Sequence, residues 1–538
     1  MKRTKKWISM ILAATMVFSV LPVNALAAEE PSMCLEDTIE PENVVLPENQ
    51  KYEGNVSYAA FDNNDYEMPF FYDDNYFAKS AYEYQDSLST MTLCMALASF
   101  ASSKSPNDYE GYQTKSCNLE KLLKDCGFPE ENFSTNRDFT VKPTKDSIGV
   151  GASSKLVTDE GKPYTLIAIG IRGNGYESEW ASNFTMGDAG QHKGFSQAKF
   201  KVLSYLSEYI ADKGITGDIK IWITGYSRAA AVANLTAGAL DNGYNLSDSV
   251  SLTPEDIYAY CFECPRPATK ADNVTADVYK NIFNIINPVD HVTKYGPDEP
   301  DNFGFARYGV DKYLPTKAKS SDMYDELKDA MLARFYTIPT AKEYVVDDFK
   351  MKKFSLSKGN KNGIITDDEN SSFDQDAFLE DAIYTFFKVN VRNRGVYDVF
   401  YENDLRELSY ALFGCGDKWK DFENNFINNL KLNAPSLIKY IVLHKDYMVK
   451  RTFEKTITNS LSQAGITDYT ATQIKGFAAK MAALIIPFAV DNPDYMATII
   501  ENIHSIDSAH YFELCMAWLQ SFDSNYTPGA ESAFLNNM

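Results

Sequence analysis

Residues 225–229 read Gly-Tyr-Ser-Arg-Ala. They follow the apolar run DIKIWIT (218–224) and open SRAAAVANLTAGALDNG (227–243), a stretch dominated by small residues. The first flank reads as a short strand and the second as a helix, so Ser227 falls at their joint. On such a sharp turn a serine presents its hydroxyl at the end of a sheet, ready to attack an acyl carbonyl. The turn is so tight that side chains two residues before and after would strike neighbouring backbone, which is why glycine is the rule at both places. Here they hold Gly225 and Ala229, and alanine keeps the steric content of the rule. The competing reading is that Ser227 only caps the helix.

The elements that would carry this turn can be read on either side. SIGVGASSKLV (147–157) and PYTLIAIGI (163–171), separated by a Thr-Asp-Glu-Gly-Lys turn, read as a hairpin. Residues 194–214 have apolar side chains at helical intervals and end in Gly214. DIYAYCF (256–262) and NIFNIIN (281–287) read as further strands. Strands alternating with helices predict an α/β fold with a mostly parallel central sheet. Residues 86–103 read as a helix capped by Asp86 or Ser87, and 118–127 as another stopped by Gly127. From about 320 to 500 the pattern turns mainly helical, interrupted by the charged segment 357–376, whose Asp/Asn spacing is not that of a calcium loop.

Four stretches together resemble the class 3 lipases, a family of α/β hydrolases. LIAIGIRGNGYESEWASNF (166–184) looks like the family's strand, Arg-Gly-Thr/Ser turn and downstream Trp. QHKGF (191–195) is similar to its His-x-Gly-Phe segment, and ITGYSRAAAVANL stands at its nucleophile turn. YCFECPRPA followed by NIINPVDHVTKYGP resembles its Phe-Gly-x-Pro-Arg strand and Asn-x-x-Asp-Pro-Val loop. The resemblance spans about 147–300 and the C-terminal histidine region.

It implies an α/β-hydrolase fold with Ser227 as nucleophile and Asp290 as the triad acid, Asp301 being the alternative. The base must follow both in the chain. Of the five histidines, His192 precedes the serine and matches the structural His-x-Gly-Phe position, His291 adjoins Asp290, and His444 lies amid helices. His504 and His510 remain, and His510 is preferred because it opens a strongly apolar helical run, as the family's base does. The oxyanion donors implied are the amides of Arg228 and Asn174, Asn174 standing where the family has Thr or Ser. The alternative reading of RGNG (172–175) is a plain turn. The expected activity is that of a lipase or esterase acting through an acyl-enzyme on a small-molecule or lipid ester, with no cofactor and no metal. The same residues would also serve a peptide, thioester or cell-wall ester, or remain in a catalytically inactive binding protein.

Composition sets the outer limits. Lys2, Arg3, Lys5 and Lys6, an apolar run from Trp7 to Val23 and Ala25-Leu26-Ala27 predict a signal peptide cleaved after Ala27 and a secreted protein, an uncleaved anchor being the alternative. No later run of about 18 apolar residues predicts a membrane span, so contact with a lipid interface would be transient. A net charge of −22 argues against nucleic acid and anionic surfaces as partners. Eight cysteines are sparse for a disulfide scaffold. Cys117 and Cys126 could pair, and Cys261-Phe-Glu-Cys264, lacking a second ligand pair, reads as buried thiols. Nothing here sets an oligomeric state. The expected organisation is a leader (1–27), an acidic lead-in (28–75), an α/β core with N-terminal helices (76–315), a helical insertion or cap (316–500), and a C-terminal segment bearing the histidine (501–538).

Overall fold

The alternation of side chains along Gly217–Tyr226 explains the architecture. Ile219, Ile221 and Ile223 enter one apolar core and Trp222 and Tyr226 another, since successive strand residues point to opposite faces of a sheet. A strand buried on both faces needs a layer of packing on each side. In the computed structural model those layers are in place. It describes residues 47–59, 65–100, 118–140, 147–173, 182–183, 190–296, 304–320, 323–343, 351–352, 354–355, 364–365, 373–394 and 418–534.

In chain order the described strands up to residue 313 are β1 (Lys51–Ala59), β2 (Asp65–Asp73), β3 (Ser134–Thr135), β4 (Val150–Asp159), β5 (Lys162–Ile171), β6 (Gly217–Tyr226), β7 (Val250–Ser251), β8 (Ile257–Phe262), β9 (Ala268–Thr269), β10 (Ile282–Ile286), β11 (Phe305–Ala306) and β12 (Val310–Tyr313). The central sheet has eight strands in the order β12-β10-β8-β6-β5-β4-β3, with β7 pairing the start of β6. From β5 to β12 the pairings are parallel, whereas β4 runs antiparallel to β5 and β3 to β4. The chain is therefore α/β with a mostly parallel central sheet, as expected. The β4–β5 hairpin turns at Glu160 and Gly161, both at positive φ.

The helices Lys193–Asp212 and Arg228–Asp241 cover one face of the sheet. The first ends as expected, with Gly214 in the left-handed region. The other face is covered by Asp86–Ala98, by the C-terminal helix Phe512–Phe522 and by the β1–β2 hairpin. Asp86–Ala98 is buried nearly all round, and Trp222 Nε1 donates to Thr92 Oγ1 across this layer (2.8 Å). Its N-cap is Gln85 rather than Asp86 or Ser87, and Ser87 instead donates to Asp523 (2.7 Å).

Two expectations are corrected. The stretch expected as an acidic lead-in contains a packed hairpin: β1 and β2 pair antiparallel and bury Val56, Tyr58, Met68, Phe70 and Tyr72. The helical insertion does not start at 316, because Met331, Phe335, Ile338 and Ala341 belong to the same core as Trp518. A separate core, with Phe422, Leu437, Phe453 and Phe488, is built by the later helices Trp419–Val442, Asp446–Gln463, Ala471–Asp491 and Pro493–Glu501. Among the described residues one helix, Ala471–Asp491, is long and apolar enough to cross a membrane. It buries Ala478, Ala482, Leu484, Phe488 and Ala489 against its neighbours, as a bundle helix does. Residues 1–27, where a signal peptide is expected, Cys117 and Asp301 lie outside the described residues; Cys126, Cys261 and Cys264 are buried free thiols.

Candidate active site

The tight turn forms at the joint of β6 and the helix Arg228–Asp241. Ser227 sits at φ 59, ψ −124, a strained conformation for a residue with a side chain. Two hydrogen bonds impose it: Ser227 N–H continues the β6–β8 ladder to Phe262 O (2.9 Å), while Ala231 N–H already donates to Ser227 O (3.2 Å). The steric rule is visible at Gly225, where a Cβ would lie 2.4 Å from the carbonyl carbon of Ala229 and 2.7 Å from its methyl group. Gly173 is equally committed, since a Cβ there would stand 2.3 Å from Tyr226 O and 3.3 Å from the Ala229 methyl. The turn after β5 is thereby packed directly onto the serine turn.

Asp290 lies in the loop after β10 and is fully buried. Its Oδ1 accepts the Val292 N–H (2.8 Å) and its backbone carbonyl accepts the Thr293 hydroxyl (2.8 Å). His510 occupies the turn between the helices Ile503–Ser508 and Phe512–Phe522. Its Nδ1 is 2.6 Å from Asp290 Oδ2 and its Nε2 is 2.9 Å from Ser227 Oγ. With the Nδ1 proton donated to the carboxylate, Nε2 keeps its lone pair for the serine hydroxyl. Burial by itself would push the Asp290 carboxyl up. The His510 charge and hydrogen bond, His291 and the Val292 amide outweigh that and hold it below the usual carboxylate range.

Ser227, Asp290 and His510 are thus brought together as expected, with His510 rather than His504 in contact with both. Arg228 follows the serine, but Asn174, the second expected oxyanion donor, lies outside the described residues. His192 faces the protein interior: its ring stacks on Phe195 (centroids 4.0 Å apart), Nε2 meets Asn183 O (3.0 Å), and burial pushes it down to about 3. It is neutral scaffolding. Among the described residues no cluster of His, Cys, Asp or Glu is arranged to hold a metal ion.

Several contributors could not be read from the sequence. The Arg228 side chain is buried, its Nε donating to Ser182 Oγ (3.0 Å) and Nη2 to Ser147 O (2.9 Å). Arg172 is buried too, donating to Phe139 O (3.0 Å) and Asp138 O (2.9 Å), which anchors the end of β5 beside the serine turn. Tyr226 reaches the backbone of His510, and Glu263 lies against the acid loop. The one available signal was position: Tyr226 and Arg228 flank the serine.

An apolar cavity of about 210 Å³ opens beside the acid loop. Its walls include His291, Ile383, Phe386, Phe387, Phe488 and Ile506. The His291 ring borders the cavity on one side and lies 6.1 Å from the His510 ring on the other. The helix Gln375–Arg394, which supplies three of these residues, is pinned to the core by charge. Arg266 forms a bidentate pair with Glu380 (2.7 and 2.9 Å) and Lys294 pairs with Asp376 (2.5 Å). Burial would raise the Glu380 carboxyl, but Arg266 first and then Lys294 bring it down to about 2. No protein-family model, no curated protein and no solved structure matches this chain.

Proposed function

We propose that this chain is a serine hydrolase of α/β-hydrolase type that cleaves carboxylic esters, lipase- or esterase-like, and that the leader read at 1–27 exports it. The observation that carries the reading is the His510 imidazole bridging Ser227 Oγ at 2.9 Å and Asp290 Oδ2 at 2.6 Å, with Ser227 held on a strained turn. His510 takes the Ser227 proton as Oγ attacks the ester carbonyl, and Asp290 steadies the imidazolium. The Arg228 amide and, on the family resemblance, Asn174 receive the oxyanion; one such donor contributes a factor of about a hundred or more. His510 then hands its proton to the departing alcohol, and water, activated by the same imidazole, releases the acid.

The cavity beside His291 favours an aliphatic ester over a peptide. A dry cavity of about 150 Å³ lined by Leu, Ile and Phe accepts benzene, so 210 Å³ suits a somewhat larger apolar group. The deciding experiment is labelling with a fluorophosphonate probe, with the modified residue mapped by mass spectrometry. Ser227 should carry the label, and Ser227→Ala should fold normally yet lose both labelling and p-nitrophenyl ester hydrolysis. Undiminished labelling of that variant would remove Ser227 as nucleophile.

A further inference from the structure

The site contains a titratable group that serine–histidine–aspartate chemistry does not use. Glu263 directly follows β8, is only 1% exposed, and has φ 50. That left-handed backbone favours glycine, and a larger residue is held there only when its surroundings over-determine it. What surrounds Glu263 is the acid loop. Its Oε2 accepts the Asn287 N–H (2.9 Å), while its buried Oε1 receives no N–H or O–H donor. The Asp290 charge and, from the C-terminal helix, the Cys515 thiol act on the Glu263 carboxyl.

Two neighbouring carboxylates disfavour each other's ionisation in a buried site. Asp290 is kept as the anion by His510, His291 and the Val292 amide. Burial first, and then the Asp290 charge, push the Glu263 carboxyl well above its usual range.

We propose that Glu263 is a positioning residue for the Ser227–His510–Asp290 relay, acting as a neutral carboxylic acid that donates a hydrogen bond to Asp290 and accepts one from the Asn287 amide. The second contact reaches further, because Asn287 Nδ2 donates to Ala509 O (2.8 Å), the carbonyl just before His510. Glu263 thus fixes the loop that carries the acid and, through Asn287, the turn that carries the base. No proton is transferred along this path. Glu263 stays neutral throughout, and Asp290 remains the single buried anion that offsets the imidazolium.

The kinetic consequence rests on the hydrolase reading above; the protonation does not. Glu263→Gln copies the neutral acid, with an oxygen for the Asn287 N–H and an N–H for Asp290. Glu263→Leu has similar bulk and neither group. On a short-chain p-nitrophenyl ester the Gln variant should keep kcat within about threefold. The Leu variant should lose about tenfold to a hundredfold in kcat, the scale expected when catalytic groups shift by a fraction of an ångström to an ångström, with KM changed less than about twofold. A Leu variant with parental kcat, or a Gln variant as impaired as Leu, overturns the proposal. If the Leu variant does not fold, the infrared difference spectrum between parent and Gln variant at mildly alkaline pH decides. A carbonyl band of a protonated carboxylic acid that the variant loses relative to the parent supports the assignment, and a difference spectrum without that band overturns it. That spectrum needs no turnover, so a chain that hydrolyses no ester would refute the hydrolase reading and leave this one to be judged separately.

Discussion

The Tyr226 hydroxyl donates to the backbone carbonyl of His510 at 2.7 Å, so the residue before Ser227 holds the turn that carries His510. The two rings also lie 5.5 Å apart, centroid to centroid. Tyr226→Phe keeps the ring and removes only the donor. It should cost about 1 kcal/mol of stability, the net value of one hydrogen bond. Its larger effect should be on catalysis, about a tenfold fall in kcat as the imidazole loses its fixed distance to Ser227. Ester kinetics beside a urea titration would test this, and a variant that loses stability with unchanged kcat would mean that the bond only holds the fold.

The crowding around Ala229 makes a sharper prediction. Its methyl group touches the space above both Gly225 and Gly173. Ala229→Val adds bulk against backbone, and such overpacking costs about 1–3 kcal/mol. Because the pressure falls on a strained turn, activity should drop further than stability does, by about a hundredfold if Oγ moves an ångström. Ala229→Gly should keep both. Thermal midpoints and kcat/KM measured together would show whether the two losses separate.

The cavity predicts chain-length selectivity. Ile383→Trp should fill the space between the helix Gln375–Arg394 and His291. Each methylene that loses its burial forfeits about 0.8 kcal/mol. The ratio of kcat/KM for an octanoate over an acetate ester should therefore fall about tenfold or more, with the acetate rate little changed. An unchanged ratio would place the acyl chain elsewhere.

A pH effect on stability arises far from the site. Burial raises Asp241 to about 8, although Asn281 Nδ2 donates to its Oδ1 (3.0 Å). The folded carboxyl thus binds its proton far more tightly than the unfolded one, so stability falls as pH rises from about 4 towards 8. Asp241 Oδ2 and Asn281 Oδ1 lack partners, and an amide at 241 could donate from one to the other. Asp241→Asn should be neutral near pH 4 and stabilising by about 1–3 kcal/mol near pH 8. Urea midpoints at the two pH values would decide, and a difference that does not open with pH would sink the assignment.

What could be read from the sequence was what is local or periodic. The serine turn announces itself because Gly225, Ser227 and Ala229 answer a steric problem within five residues. The β4–β5 hairpin does so through a Gly161 turn between apolar runs. His510 emerged from chain order and the apolar helix behind it. The β1–β2 hairpin is masked by the acidic composition around it, although in β2 Met68, Phe70 and Tyr72 alternate with more exposed residues, the mark of a half-buried strand. Glu263, Tyr226 and the Arg228 guanidinium were invisible for another reason. Each works through a partner between 24 and 284 residues away, and no local pattern encodes such a meeting.

Ser227 and His510 are 283 residues apart in the chain, and Asp290 and His510 are 220 apart. In equilibrium terms so long a detour is cheap, since each doubling of a loop costs only about 0.6 kcal/mol. In time it matters more. As the chain is made, the serine turn and the acid loop are finished while the base does not yet exist, and every helix between them is completed before His510 appears. On the proposed hydrolase reading, the last of these pieces to arrive is the one that would arm the serine. If Ser227 is the nucleophile, chain order would work as a delay, leaving it without its base until the C-terminal helix docks on the sheet.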